Sequence, residues 1–107
     1  MYAPEEIFSI YSTFPNLLEA EEIVHHLIKE KLIACANLIP AIKSIYVWEG
    51  KIEESAEVLG FFKTSGLYVE AVQKRIEELH SYEVPSILVI PILGGSEPYL
   101  DWIRNSL

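Results

Sequence analysis

The short segment Leu79–Pro85 brings together a histidine, a tyrosine and a carboxylate, side chains that can do chemistry. His80 and Glu83 lie three positions apart at the predicted end of a helix, where such a spacing can place both on one face. Imidazole is a ligand for copper, zinc and nickel, and a carboxylate can complete such a site. The spacing therefore favours a metal site. The alternative is that His80 caps the helix and Glu83 is solvated.

Cys35 is the only cysteine of the chain and lies between two alanines. Its small neighbours indicate tight packing, and a free cysteine is usually a small buried hydrophobe. As a thiolate it would instead be a soft ligand for Cu(I) or zinc. A single cysteine forms no intramolecular disulfide, which fits a reducing compartment.

Other side chains that attract attention are better explained by packing or solvation. His25 and His26 are adjacent, so on a helix they point about 100° apart, and we expect one half-buried and one exposed. We expect the two tryptophans to act as packing anchors or intersubunit contacts. Three glutamates near a predicted hairpin are expected to form a solvated edge: Glu53, Glu54 and Glu57.

Charge and motif content exclude several classes of function. The formal net charge of −8 opposes nucleic-acid binding and favours cationic ligands over anionic ones. The sequence has no nucleophile elbow, zinc-protease, dinucleotide or phosphate-loop motif, so we predict that it is not an enzyme. No apolar run approaches the ~20 residues that span a bilayer, and the acidic N-terminus does not resemble a signal peptide. These features predict a cytoplasmic protein that binds no membrane.

Seven elements must position these residues. The apolar periodicity switches repeatedly between that of strands and that of helices, and Glu49-Gly50 is typical of a tight hairpin turn. Pro40 and Gly60 predict bulges or bends in the two arms of that hairpin. The predicted elements are strands over 7–14, 33–48, 51–64 and 86–93, helices over 17–31 and 67–80, and a last helix capped by Ser96 and running through 103.

The order β-α-β-β-α-β plus a last helix is that of the ferredoxin-like α+β fold. It predicts a single domain over residues 1–107, with an antiparallel four-stranded sheet and the two main helices on one face. The other face would be bare in a monomer. Apolar residues lie on both faces of the long hairpin near its tip, which predicts a partner chain, with extension of the sheet as one route.

Several segments together closely resemble the CutA family of divalent-cation tolerance proteins, from about residue 7 to residue 104. They are Leu32–Asn37, Ser44–Ile52, Phe62–Thr64, Leu79–Pro85 and Tyr99–Trp102. The resemblance implies a cytoplasmic homotrimer whose hairpins reach across subunits and which is linked to tolerance of copper and other divalent cations. It also implies that His80 is a copper ligand.

Two hypotheses follow from the residues and the resemblance together. The leading one is a non-enzymatic, trimeric metal-binding protein, with His80, Glu83 and Cys35 as candidate ligands. Its ligand would be Cu(II) or another divalent cation, which folding would not require. Ser86 stands where many members of the family carry a glutamate, and Glu83 is the carboxylate that could substitute for it. The alternative is a sensor like the PII-type trimers, which would bind a small molecule in a cleft between subunits.

Overall fold

The computed structural model describes residues 2–107. Its elements, in chain order, are β1 (Ile7–Phe14), α1 (Leu17–Lys29), β2 (Cys35–Trp48), β3 (Lys51–Ser65), α2 (Val69–Leu79), β4 (Ile87–Pro91) and α3 (Glu97–Asn105). Across this described part of the chain, no helix is long and apolar enough to cross a membrane.

The four strands form one antiparallel sheet in the order β2-β3-β1-β4. Side chains alternate between the two faces of a strand, and one face of β1 packs against α1 and α2 in the main core. The largest buried side chains there include Phe14, Phe62 and Ile23. The predicted ferredoxin-like α+β fold, with its four-stranded antiparallel sheet and C-terminal helix, is therefore confirmed.

Helix α1 begins at a side-chain cap and ends at a residue in the left-handed region. The Asn16 side chain accepts a hydrogen bond of 2.8 Å from the backbone N–H of Glu19, which satisfies one free donor of the first turn. At the other end, Lys31 has a φ of 57°, and the Leu32 N–H donates to the Leu27 carbonyl. The helix thus ends at Lys29, two residues before the predicted end.

Helix α2 is shorter than predicted at its start, because residues 66–68 form a turn before Val69. The helix ends at Leu79, and His80 has an extended ψ of 141°. From there the chain runs without regular structure to β4, which begins at Ile87. We call residues 80–86 the joint.

Strands β2 and β3 form a long hairpin closed by two residues. Glu49 and Gly50 both have positive φ, of 50° and 79°, as a type I′ turn requires. A register shift between Ile39 and Ile42 confirms the bulge predicted at Pro40. Of the bulge or bend predicted at Gly60, the bulge is absent. The register continues unbroken past that glycine, where an added Cβ would lie 2.6 Å from a ring carbon of Phe62.

Helix α3 covers part of the face opposite α1 and α2. Its Leu100 and Ile103 pack with Ile7, whose side chain alternates with that of Phe8 in the main core. Ser96 precedes the helix as predicted, but its side chain makes no capping hydrogen bond. The rest of this second face stays open near the hairpin tip, where Trp48 is 62% exposed.

Candidate functional site

Two hydrogen bonds of Ser86 connect the joint to the end of β1. The hydroxyl of Ser12 donates to the carbonyl of Ser86 at 2.7 Å, and the hydroxyls of Thr13 and Ser86 lie 2.8 Å apart. These contacts hold the chain where it leaves α2 and crosses to β4. The side chains of the joint are therefore set against β1 with a defined geometry.

His80 is buried, and backbone groups occupy both of its ring nitrogens. Nε2 lies 2.8 Å from the carbonyl oxygen of Thr13, which can only accept, so Nε2 carries the proton and donates. Nδ1 lies 3.0 Å from the backbone N–H of Tyr82, which can only donate, so Nδ1 accepts. The ring also stacks on Phe14, with centroids 4.9 Å apart. In this arrangement no ring lone pair of His80 is free for a metal ion.

The carboxylate beside His80 is that of Glu19, not that of Glu83. Oε2 of Glu19 lies 3.5 Å from Nδ1 of His80 and accepts from both the backbone N–H and the hydroxyl of Ser81, each at 3.0 Å. Glu83 is exposed on the surface of the joint. Glu19 is 62 positions from Ser81 in the chain, and no local pattern in the sequence links the two residues.

Cys35 lies at the far end of the sheet from His80. Its register partner Lys63 pairs in turn with Ser9, four residues before Thr13 on β1. Four strand residues span about 13 Å, too far for the two side chains to share an ion within one subunit. The thiol instead lies 3.5 Å from the hydroxyl of Tyr99. That hydrogen bond and burial together raise the pKa of Tyr99.

The residues of one subunit therefore do not fit a bound metal ion as they are arranged. Within residues 2–107 no three histidine, cysteine, aspartate or glutamate side chains are grouped to hold one. His80, Glu83 and Cys35 do not meet, and the imidazole is engaged by the backbone. The three residues remain a prediction.

A cleft of about 600 Å³ opens on the second face of the sheet, between the hairpin and the joint. Because Tyr46 pairs with Glu53, their side chains share one face of the hairpin. We refer to this space as the cleft. The residues that line it are Thr13, Tyr46, Trp48, Glu53, Ser55, Glu57, Tyr82, Val84 and Ser86.

Two hydroxyls fix the carboxylate of Glu57 on the wall of the cleft. Ser44 donates to Oε1 at 2.6 Å, and Tyr82 donates to Oε2 at 2.8 Å. Burial, then the hydrogen bond to Glu57, raises the pKa of Tyr82 above its ordinary value, so the phenol stays a donor. Glu57 is thus a positioned, half-buried acceptor, and its predicted place on a solvated edge was wrong.

The adjacent histidines of α1 lie on a different surface. His25 and His26 are both exposed, so the prediction that one is half-buried was wrong. They line a shallow depression together with Glu22 and Lys29. Nδ1 of His26 lies 3.8 Å from a carboxylate oxygen of Glu30, one turn further along the helix.

Comparison with known proteins gives consistent matches over nearly the whole chain. The family model described as CutA1 divalent ion tolerance protein matches residues 8–106. The Divalent-cation tolerance protein CutA of Pyrococcus horikoshii is 47% identical over 94 residues, which are 88% of this chain and 91% of that protein. Protein CutA of Homo sapiens is 42% identical over 104 residues, or 97% of this chain and 58% of that protein.

Solved structures agree with the sequence matches. The crystal structure of CutA1 from Oryza sativa superposes with a TM-score of 0.91 at 38% identity and covers 94% of this chain and 93% of that one. The periplasmic divalent cation tolerance protein CutA from Archaeoglobus fulgidus gives a TM-score of 0.90 at 41% identity, with 94% and 97% covered.

Relatives differ in length. The chain spans little more than half the length of several curated relatives, including the plant and mammalian proteins, but over nine-tenths of the Pyrococcus horikoshii protein. The match to the family model extends from the first strand to the last helix, and the archaeal relative exceeds 40% identity. The chain therefore belongs to the CutA1 divalent ion tolerance protein family.

Proposed function

We propose that this protein is a non-enzymatic divalent-cation tolerance protein that acts as a homotrimer and binds copper or another divalent cation. The observation that carries the proposal is the family match over residues 8–106. A formal charge of −8 adds support, because an acidic surface attracts cations. We propose further that residues 1–107 form one domain and that the protein is cytoplasmic.

Assembly is supported by apolar side chains that one subunit leaves exposed. At the hairpin tip Val47 and Ile52 form a cross-strand pair and are 69% and 76% exposed. On β4, an edge strand of the sheet, Leu88 is also largely exposed. Subunit interfaces commonly bury exposed apolar groups and pair the free edges of strands.

The proposed cation ligands are His80, Glu83 and Cys35. Within one subunit they are separate, so a shared site would need ligands from a neighbouring subunit. Binding at His80 would also require its ring to give up a hydrogen bond to Thr13 or Tyr82.

Calorimetric titration with Cu(II) tests this proposal on the intact protein. We expect saturable binding by the wild type, lost in His80→Ala and retained in His25→Ala, whose histidine is exposed on α1. Glu83→Gln and Cys35→Ser should also weaken Cu(II) binding, and they should affect folding less than His80→Ala does. Equal binding by wild type and His80→Ala would remove His80 from the site. Because the cation is proposed not to be needed for folding, removal of any bound cation with EDTA should leave the protein folded.

A second candidate function is a small-molecule sensor of the PII type. The observation in its favour is the cleft of about 600 Å³, a volume within the range of small-molecule sites. A thermal-shift screen of nucleotides and metabolites tests it, because a ligand that binds only the folded state raises the midpoint. A screen in which no compound stabilises the protein would contradict this function.

A further inference from the structure

We propose that the cleft binds a small organic cation with an alkylated ammonium group. The inference deepens the second candidate function, because it names the class of molecule that a sensor of this kind would take. It is independent of a metal site at His80. Three properties of the cleft carry it: its charge, its aromatic walls and its size.

The cleft carries negative charge, and its lining contains no cationic side chain. Glu57 lies in the wall, and Glu53 lies further out on the same strand. None of the nine lining residues is a lysine, an arginine or a histidine. A recess with one sign of charge concentrates ligands of the opposite sign. The cleft therefore disfavours anions such as nucleotide phosphates.

The aromatic walls suit a soft, alkylated cation. Tyr46 and Trp48 are two residues apart on β2, so their side chains share a face, and Tyr82 approaches from the joint. Within one subunit the two strand rings are 45% and 62% exposed, so much of each ring surface is left uncovered by the subunit's own side chains. Aromatic faces attract cations, and cages of such rings recognise quaternary ammonium groups.

The ligand atoms and the volume argue against a bare metal ion in the cleft. Both carboxylate oxygens of Glu57 already accept hydroxyl hydrogen bonds, from Ser44 and Tyr82. Divalent ions need four or more ligand atoms at about 2.0 to 2.6 Å. Four of the nine lining residues are aromatic or aliphatic instead: Tyr46, Trp48, Tyr82 and Val84. A space of about 600 Å³ instead fits a small organic molecule. The positioned carboxylate then supplies charge, and the rings supply contact area.

A comparison of choline with 3,3-dimethyl-1-butanol tests the proposal, because the two have nearly the same shape and only choline is charged. The reporter is the fluorescence of Trp48 in a Trp102→Phe background, which removes the other tryptophan, on α3. We expect saturable binding of choline at millimolar concentration, at least tenfold tighter than binding of the neutral alcohol.

Matched variants separate the cleft from the general acidity of the surface. Glu57→Gln should weaken choline binding about tenfold, whereas Glu97→Gln, an exposed carboxylate on α3 outside the cleft, should leave it unchanged. Thermal midpoint and oligomeric mass are measured for each variant. If Glu57→Gln fails to fold, Glu53→Gln replaces it, with a several-fold loss expected.

Several outcomes would overturn the inference. Equal affinity for choline and the neutral alcohol would mean that the cleft recognises shape alone. Unchanged choline binding in a folded Glu57→Gln variant would place the ligand elsewhere. If the wild type takes an anionic or neutral metabolite in the cleft but no choline, the sensor function stands and this inference fails. Copper binding without choline binding would leave the cation-tolerance proposal intact and would also contradict the inference.

Discussion

At the residue scale, His80 links three parts of the fold. Its ring joins the end of β1, through the Thr13 carbonyl, to the backbone of the joint at Tyr82. It also fills a buried position beside Phe14 at the edge of the main core. A side chain with this many fixed partners contributes to folding whether or not it also binds a ligand.

Removing the imidazole should therefore be costly. His80→Ala leaves the Thr13 carbonyl and the Tyr82 N–H without partners and opens a void beside Phe14. We expect the free energy of unfolding to fall by about 3 kcal/mol, measured by urea denaturation. His25→Ala, at an exposed position, should change it by less than about 0.5 kcal/mol. A loss of the same small size in both variants would contradict the role given to His80.

The phenol of Tyr82 should titrate later than an ordinary tyrosine. Because its folded pKa is raised, its stabilising contribution is present below the ordinary pKa of 10 and is lost as pH rises through the folded value. Comparison of the ultraviolet absorbance titrations of wild type and Tyr82→Phe should show the missing ionisation at the high-pH end. We also expect Tyr82→Phe to lower stability at neutral pH by about 1 to 2 kcal/mol. A missing ionisation near pH 10 would be inconsistent with the Glu57 contact.

That regular structure breaks off around residues 80–86 could be predicted from the sequence, but the contacts of this joint could not. Residue types and a break in periodicity identified the joint. The partners of Ser81 and Tyr82 are 62 and 25 positions away in the chain, at Glu19 and Glu57. Such pairs depend on how the joint crosses the end of β1, and a short-range sequence pattern contains no information about that crossing.

At the element scale, an ion pair joins α1 to α2 on the surface. Arg75 donates from Nε to Glu30 at 2.9 Å and from a terminal nitrogen at 2.9 Å, so the contact is bidentate. This hydrogen bonding lowers the pKa of Glu30 and raises that of Arg75. The pair connects the C-terminal end of one helix to the middle of the other.

Glu30→Gln should weaken the fold only where the carboxylate is ionised. A lowered pKa gives a contribution that is present above the ordinary value of 4.5 and is lost as pH falls through the folded value. The thermal midpoint of Glu30→Gln should therefore lie below that of wild type near pH 7 and converge with it in acid. A difference that persists unchanged at pH 2 to 3 would show that the pair does not act through charge.

Gly60 marks a close approach inside the hairpin. A methyl group there would lie 2.6 Å from a ring carbon of Phe62 and 3.2 Å from side chains of Leu38 and Phe14. We expect Gly60→Ala to lower the free energy of unfolding by about 1 to 3 kcal/mol, because the core must shift to admit it. Gly94→Ala, where the added Cβ meets no atom within 4 Å, is the matched control. A neutral Gly60→Ala would mean that the rings rearrange freely.

Element identity and order were predictable from periodicity, whereas element ends and one glycine were not. All seven elements are present with the expected types, because their apolar periods are long and unambiguous. Residues 66–68 have no strong breaking signal beyond Gly66, so α2 was predicted to start too early. Gly60 suggested a bulge because sequence alone does not distinguish a backbone irregularity from a crowded side-chain contact.

At the scale of the whole molecule, the exposed hairpin tip makes a prediction about assembly. If the homotrimer is obligate, light scattering at low concentration should give three times the 12.2 kDa of one chain, with no folded monomer. Val47→Asp places a charge in the apolar tip and should dissociate the assembly. Leu18→Asp, at a position 67% exposed on α1, is the control and should remain assembled. A folded wild-type monomer would contradict the proposal.

The irregularity between Ile39 and Ile42 has a consequence for the tolerance of this hairpin to deletions. On either side of the irregularity, pairing with β3 fixes the face of the sheet on which each β2 side chain lies. Ile39 lies opposite Leu59, and Ile42 lies opposite Glu57. Two residues of β2 thus lie opposite the single residue Val58. Removing one of them would restore one-to-one pairing between the strands and would leave every other β2 side chain on its present face of the sheet. Deleting Pro40 should preserve every residue's face while straightening the arm, whereas a one-residue deletion elsewhere in β2 would invert part of the strand.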